Sequence, residues 1–302
     1  MDRLDAMRVF IAVAEEESFA RAARRLGMSA PVATRAVGAL EERLGARLFS
    51  RTTRIVRLTQ AGERFFSDCR RILSELSEAE ASAAGVHGEP SGELSVTAPV
   101  MFGRLFIAPL LLDFLDRYPS VVAQTLFVDR IVDLINEGQD VAVRIANLPD
   151  SSLTAIRCGS VRHVLCAAPQ FLARHGIPSK PADLSELEAV ELSMATPRHQ
   201  WPFEIGGKTA TVRIRPRLVA NTVDVAITAA LSGRAIARVL SYQITEELSA
   251  GKLQIVLAEY EQPPLPIHIV YHGGRRAGAR VRRFVDFAVE TLRENPSLHW
   301  RD

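Results

Sequence analysis

The stretch RRLGMSAPVATRAV, residues 24 to 37, constrains the fold more than any other. An amphipathic helix capped by Ser18 buries Phe19, Ala22, Ala23 and Leu26 and stops at Gly27, since glycine accepts the left-handed conformation that closes a helix. A second helix starts at once: Ser29 is its cap, and Pro31 sits in the first turn, where a missing N–H loses no intrahelical partner. This helix runs to Leu44, with Ala33, Val37, Leu40 and Leu44 facing inward and Gly45 as its terminator. Ahead of both lies a helix from Leu4 to Glu16 with Leu4, Met7, Phe10, Ile11 and Ala14 on one face. Two helices joined by so short a turn must cross steeply, so one braces the other and leaves its far side exposed. On that far side the spacing places Pro31, Arg35, Gly38, Ala39 and Glu42, flanked by Val32 and Thr34.

Beyond this helix the chain is first basic and then acidic. In Arg47 to Thr59, Ile55 and Arg57 alternate with Val56 and Leu58 at strand period, and Arg51-Thr52-Thr53-Arg54 forms a polar tip, which reads as a short hairpin or wing. Between Phe19 and Thr59 there are nine arginines against Glu41 and Glu42; from Glu63 to Glu93 there are three arginines against seven acids. The net charge of the whole chain is only +2, so the asymmetry, not the total, marks residues 1–59 as a nucleic-acid-binding module. Thr59 then caps a long helix from Gln60 to about Ala84, on which Phe65, Cys69, Ile72, Leu76, Ala79 and Ala83 form a heptad seam. With nothing local to cover it, the seam calls for a second copy of the chain, so residues 60–89 are expected to be a dimerisation helix and hinge. The alternative is packing against the chain's own C-terminal domain.

Residues 90–302 alternate strands with helices: strand Glu93 to Thr97, helix Phe102 to Arg117, strand Val121 to Val128, helix Ile131 to Glu137 and strand Val141 to Ile145. Strand Arg162 to Ala168, a helix ending near His175, Val212 to Val219, helix Val223 to Leu231, Ala235 to Leu240, Ile267 to Tyr271 and a closing helix Arg280 to Arg293 continue the theme. The pattern predicts mainly parallel sheets in two lobes, about 90–162 with 268–302 and about 163–267. A ligand cleft is expected outside the carboxyl ends of the strands. Its candidate residues are Thr97, Pro99, Val100, Met101 and Phe102 after the first strand, Val128 and Asp129 after the second, Arg144 in the third, Ser193 and Thr196. Asn221, Thr222 and Val223 complete the set at a helix start whose free N–H groups suit an anion. Met101 and Phe102 make one wall apolar, which favours a small organic effector whose polar group pairs with Arg144 or Asp129.

Other functions find little support. The seven histidines are scattered, and neither a Gly-rich phosphate loop nor a Gly-x-Ser-x-Gly elbow occurs, so no enzyme, metal or cofactor is expected. The start Met1-Asp2-Arg3-Leu4-Asp5 is charged where a secretory signal is apolar, and no run approaches the ~18 apolar residues of a membrane span. The expectation is a cytoplasmic protein without a membrane partner. Cys69, Cys158 and Cys166 lack paired spacing and read as buried thiols, although Cys158 and Cys166 are close enough in sequence to raise a redox disulfide. A helical bundle can also serve protein interaction, so a small-molecule-binding protein with such a bundle is the competing assignment.

The string SFARAARRLGMSAPVATRAVGALEERLGARLFSRTTRIVRLTQAG resembles the N-terminal domain of the LysR-type transcriptional regulators, nearly without gaps from Leu4 to Gly62. The likeness continues through the long helix, the PLLLDFLDRYP segment ending at Pro119, DLINEGQDVAVRI, LPDSSL, ARVLSYQ and PIHIVYHGGR. It implies a multidomain α+β and α/β chain: a winged helix-turn-helix, a dimerising linker helix and a two-lobed effector domain similar to periplasmic binding proteins. It further implies dimers or tetramers on double-stranded promoter DNA, a small-molecule effector between the lobes, and RNA polymerase as a candidate partner. Matching the family's DNA-binding positions are Ser29, Ala30, Pro31, Val32, Thr34 and Arg35, with Arg51, Thr52, Thr53 and Arg54 in the wing. Ala30 and Pro31 stand where polar residues are common, which leaves Thr34 and Arg35 as the hydrogen-bonding readers. Pro99 and Val128 stand where many members carry a serine or threonine, and Ala235 replaces a glycine.

Overall fold

A computed structural model of the chain describes residues 2–51, 56–83, 89–193, 199–274 and 277–299. The chain divides into two compact units, the first built on the residues up to Gly92.

In the first unit, α1 (Arg3–Glu16), α2 (Phe19–Arg25) and α3 (Ala30–Leu44) follow the predicted spacing. Ser18 Oγ accepts from Arg21 N, and Gly27 and Gly45 take positive φ (66° and 63°), the helix stops that the sequence announces. Antiparallel strands β1 (Phe49–Arg51) and β2 (Val56–Leu58) form the stem of the wing, pairing Phe49 with Leu58. The long helix α4 (Gln60–Ala83) begins at Thr59, whose hydroxyl accepts from Gly62 N at 3.0 Å. Two expectations fail at the helix ends: Leu26 and Leu44 are 37% and 38% exposed. Each occupies the last turn before a helix-ending glycine, past the edge of the core.

The seam on α4 also has local cover that the sequence did not reveal. Cys69 is fully buried in the same core as Phe10, Val37 and Leu40, and Phe65, Phe66 and Leu73 pack against that core. The Phe10 ring lies 5.4 Å from Phe65 and 5.3 Å from Phe49. The first turns of α4 are therefore part of the N-terminal module, while Ile72 and Leu76 farther along stay half-buried.

The second unit holds two five-stranded sheets. The first has the order β4-β3-β5-β14-β6, from β3 (Gly92–Ala98), β4 (Val121–Phe127), β5 (Val141–Ile145), β6 (Thr154–Val161) and β14 (Leu265–Tyr271). The second has the order β11-β8-β12-β7-β13, from β7 (His163–Ala167), β8 (Glu188–Leu192), β11 (Arg215–Ala220), β12 (Ile236–Leu240) and β13 (Gln254–Val256). Strands β9 (Gln200–Ile205) and β10 (Lys208–Arg213) form a separate antiparallel hairpin. Helices α5 (Val100–Phe102), α6 (Ala108–Arg117), α7 (Pro169–His175), α8 (Val223–Leu231), α9 (Thr245–Ser249) and α10 (Ala279–Glu294) accompany them.

The sheets are mixed, not mainly parallel. β3 runs parallel to β5, and β8 to β11 and β12, but β14 opposes β5 and β6, and β7 opposes β12 and β13. The cause is connectivity: the chain passes from the first sheet to the second through Arg162 alone, between β6 and β7, and returns into β14. The expected strand Val212 to Val219 is two strands of different sheets, separated at Ile214, which is buried and donates its N–H to His199 O. The expected helix Ile131 to Glu137 is a run of bends and turns. Val132 and Leu134 are buried while Ile131 and Ile135 are 86% and 56% exposed, so burial alternates at every second residue, not at helical spacing, and Asp133 Oδ1 accepts from Ile135 N.

Between α5 and α6, Gly103–Ile107 forms a π turn. Pro109 follows within the first turn of α6, where it brings no N–H to the helical ladder, and the wider turn accommodates it. A side chain at Gly103 would place a Cβ 2.4 Å from the Phe127 ring, so only glycine fits. Phe114 packs edge-on to Phe284 at 5.3 Å in the first lobe, and Phe171, Leu184, Trp201 and Phe203 fill the second.

Candidate functional site

The exposed arc of α3 comprises Pro31, Thr34, Arg35, Ala39 and Glu42, with Ala30, Val32 and Gly38 half-buried at its margins. Ser29 is the N-cap residue, and its side chain makes no capping bond. Thr34 differs from the expectation: its hydroxyl donates to Ala30 O at 2.9 Å, so its hydrogen is committed to the helix itself. Among the arc residues, Arg35 alone keeps free side-chain donors. Arg51 ends β1, while Thr52, Thr53 and Arg54 lie outside the described residues.

Part of the basic charge is already compensated. Arg25 pairs with Glu15 at 2.7 Å and Glu16 at 3.6 Å, and Arg21 with Glu16 at 3.6 Å. These acids precede Phe19, so the local excess of positive charge is smaller than the stretch from Phe19 to Thr59 implies. Arg24, Arg35, Arg43, Arg47 and Arg57 are all exposed.

Sequence reasoning missed Glu41. It is 7% exposed, and its Oε1 accepts from Leu48 N (2.8 Å) and Phe49 N (3.2 Å). One carboxylate thereby ties the last turns of α3 to the strand that opens the wing and fixes the two elements to each other. The available signal was position: Glu41 lies four residues after Val37, on the inward face.

In the second unit, the predicted cleft residues fall into two groups. Thr97 is buried and donates its hydroxyl to Leu126 O at 2.6 Å, and Met101 and Phe102 are 7% and 0% exposed. Phe102 lies 4.8 Å from Phe106 and 5.4 Å from Tyr242, so the half-buried Phe106 is the more accessible ring there. Arg144 donates to Val132 O at 2.9 Å. The exposed Asp129 accepts from Val100 N at 3.0 Å, so a protein carboxylate occupies the start of α5, next to the half-buried Pro99 and Val128.

The second group surrounds α8. Asn221 and Ser193 are exposed, Thr222 caps the helix without a side-chain bond, and Val223 is 8% exposed. Arg104 of the π turn reaches Asp224 in the first turn of α8 at 3.6 Å, bringing the two lobes' helices together. Thr196 lies outside the described residues. Two concavities, of about 490 Å³ beside Ile156 and Arg293 and about 290 Å³ beside His199 and Arg213, include none of the predicted cleft residues.

The connections between the lobes carry buried charge that sequence reasoning also missed. Arg162 pairs with Glu261 at 2.6 Å, their side chains 15% and 7% exposed, and Arg238 donates to Gln262 at 3.0 Å. Burial pushes the Glu261 carboxyl up against the pull of Arg162, and lowers Arg238 to about 10. His163 is held down to about 3 by burial and secondarily by Arg238, so it is a neutral imidazole. All three cysteines are buried, and burial raises Cys69 and Cys166 to about 12 and Cys158 to about 11. They are protonated thiols, poor nucleophiles for redox chemistry.

Among the described residues no group of three or more His, Cys, Asp or Glu is placed to hold a metal ion, and no helix is long and apolar enough to cross a membrane.

Comparison with known proteins accounts for both halves. The profile described as "Bacterial regulatory helix-turn-helix protein, lysR family" matches residues 4–63, and "LysR substrate binding domain" matches residues 87–293. The chain is 34% identical over 300 residues to an HTH-type transcriptional repressor of Pseudomonas aeruginosa, covering 99% of this chain and 95% of that one. It is also similar to the solved structure of CrgA, a LysR-type regulator from Neisseria meningitidis, at 32% identity and a TM-score of 0.62 over 96% of this chain and 99% of the other. The full-length virulence activator AphB of Vibrio cholerae matches at 28% identity and a TM-score of 0.62, covering 97% of this chain and 100% of AphB. With a winged helix-turn-helix, a linker helix and a two-lobed effector-binding domain in one chain, the protein belongs to the LysR-type transcriptional regulators and is a sequence-specific DNA-binding regulator.

Proposed function

We propose that this regulator acts in the cytoplasm as a homodimer or homotetramer on promoter DNA, without catalysis, and that a small organic effector between the lobes sets its activity. Ser29, Ala30, Pro31, Val32, Thr34 and Arg35 of α3 and its cap meet the major groove, while Arg51, Thr52, Thr53 and Arg54 of the wing meet the backbone or the minor groove. The observation that carries this reading is the exposed face of α3, held to β1 by Glu41 with Arg35 exposed on it. Mobility shift with duplexes from the protein's own upstream region is the direct test. A specific complex that weakens steeply with added salt is expected, and equal affinity at low and high salt would sink the reading.

Self-association is assigned to the half-buried Ile72 and Leu76 on α4, which are not among the α4 residues packed on the N-terminal core. Leu76→Asp should convert oligomers to monomers in sedimentation velocity, and an unchanged coefficient would refute the assignment. The effector is assigned to the region of Asn221, Thr222 and Val223, where α8 starts without a side-chain cap, together with Asp129. Contact with RNA polymerase is the further step by which such a complex would alter transcription.

A further inference from the structure

We infer that α3 reads its half-site by packing against thymine methyl groups, with Arg35 as the side chain within the helix that donates hydrogen bonds to a base and Gly38 as the point of closest approach to the groove. The inference rests on the assignment of α3 to the major groove.

Three observations carry it. First, the apolar side chains that α3 offers outward are Pro31 and Val32 in its first turn and Ala39 one turn beyond Arg35, Ala30 being packed on the N-terminal core, and none of them has a donor or acceptor. Second, Thr34, the polar residue next to Arg35 on the arc, has spent its hydroxyl hydrogen on Ala30 O; it can still offer a methyl group and acceptor lone pairs. Third, Gly38 sits inside a helix, where glycine costs stability relative to alanine, yet apart from its chain neighbours and the backbone of its own helix no described atom lies within 4 Å of where its Cβ would stand. Packing within the protein does not require that glycine. It leaves an indentation between Pro31 and Glu42 on the outward line, into which the groove wall fits.

The chemistry of the major groove then selects the base. Thymine alone presents an apolar group there, its 5-methyl, whereas guanine presents two acceptors that an arginine grips together. An apolar surface with one guanidinium thus suits a half-site in which thymines flank a guanine. Each methyl fully buried contributes about fourfold in affinity, the equivalent of ~0.8 kcal/mol.

The test begins with selection of high-affinity duplexes from a random-sequence pool, using the full-length protein. The selected duplex is then resynthesised with deoxyuridine for thymidine, in the half-sites only or in the flanks only. Loss of about fourfold or more per contacted thymine is expected in the half-site version, with no change in the flank version. A loss under twofold in the half-sites, or equal losses in both, overturns methyl reading while leaving DNA binding intact; failure to select any sequence above non-specific background would instead sink the docking of α3. Gly38→Ala tests the close approach separately. Its melting temperature should be equal or higher and its affinity for the selected duplex at least tenfold lower, and wild-type affinity in this variant would overturn that part.

Discussion

Replacing Glu41 with alanine should loosen the wing from the recognition helix while leaving both elements formed. The carboxylate accepts from two backbone N–H groups, those of Leu48 and Phe49, whose residues are 1% and 3% exposed. A buried donor left without an acceptor costs about 1–3 kcal/mol, so two such donors suggest a loss of ~3 kcal/mol, offset by only a few tenths from alanine's helix propensity. Since ~1.4 kcal/mol is tenfold in an equilibrium, the amides of Leu48 and Phe49 should exchange about 100-fold faster in hydrogen–deuterium exchange on the full-length protein. Protection in α10, within the other unit, should not move. Glu41→Gln retains a carbonyl oxygen and should lose about half as much. Exchange at Leu48 and Phe49 accelerated less than threefold, or no more than in the control Glu42→Ala, would refute the reasoning.

Two further perturbations address the lobes. His163 is neutral in the fold, held at about 3, but an unfolded chain protonates it near the ordinary value of 6.5. Between those values the unfolded state binds the extra proton, so stability falls as pH falls, by about 2 kcal/mol at pH 5 relative to pH 8. His163→Gln should flatten that part of the urea-denaturation profile, and an unchanged slope would refute the assignment. Glu261→Gln removes the carboxylate from the buried guanidinium of Arg162 and should cost about 3–5 kcal/mol, whereas replacing both residues by leucine should recover most of it. A single substitution as mild as the double one would show that the pair is not buried in solution.

The N-terminal module was legible because each of its decisions is local. Ser18, Gly27 and Gly45 act within a turn of where they stand, and the periodicity of Ala33, Val37 and Leu40 needs no distant partner. The second unit was less so. β8 carries Glu191, only 1% exposed, where an apolar residue would have kept the strand pattern visible. The donors expected at the cleft were spent on acceptors far away in sequence: Thr97 on Leu126, Arg144 on Val132, and Val100 N on Asp129. No spacing rule reaches that far. Glu41 was missed for a related reason, because a charged residue on an inward face looks like a surface residue until its partners are placed.

The single-residue passage at Arg162 bears on how an effector signal can move through the protein. Any change of angle between the lobes on that side must be taken up by the torsions of one residue and its immediate neighbours. That residue is tethered at both of its backbone groups: its N–H donates to Ser241 Oγ at 3.2 Å, and its carbonyl accepts from Ser241 N at 2.8 Å. Together with the Arg162–Glu261 pair, this makes a joint that resists small excursions and yields only when several bonds exchange at once. A ligand that favours another lobe angle has to exchange these bonds to reach it, and it shifts the equilibrium only in proportion to its preference for that angle.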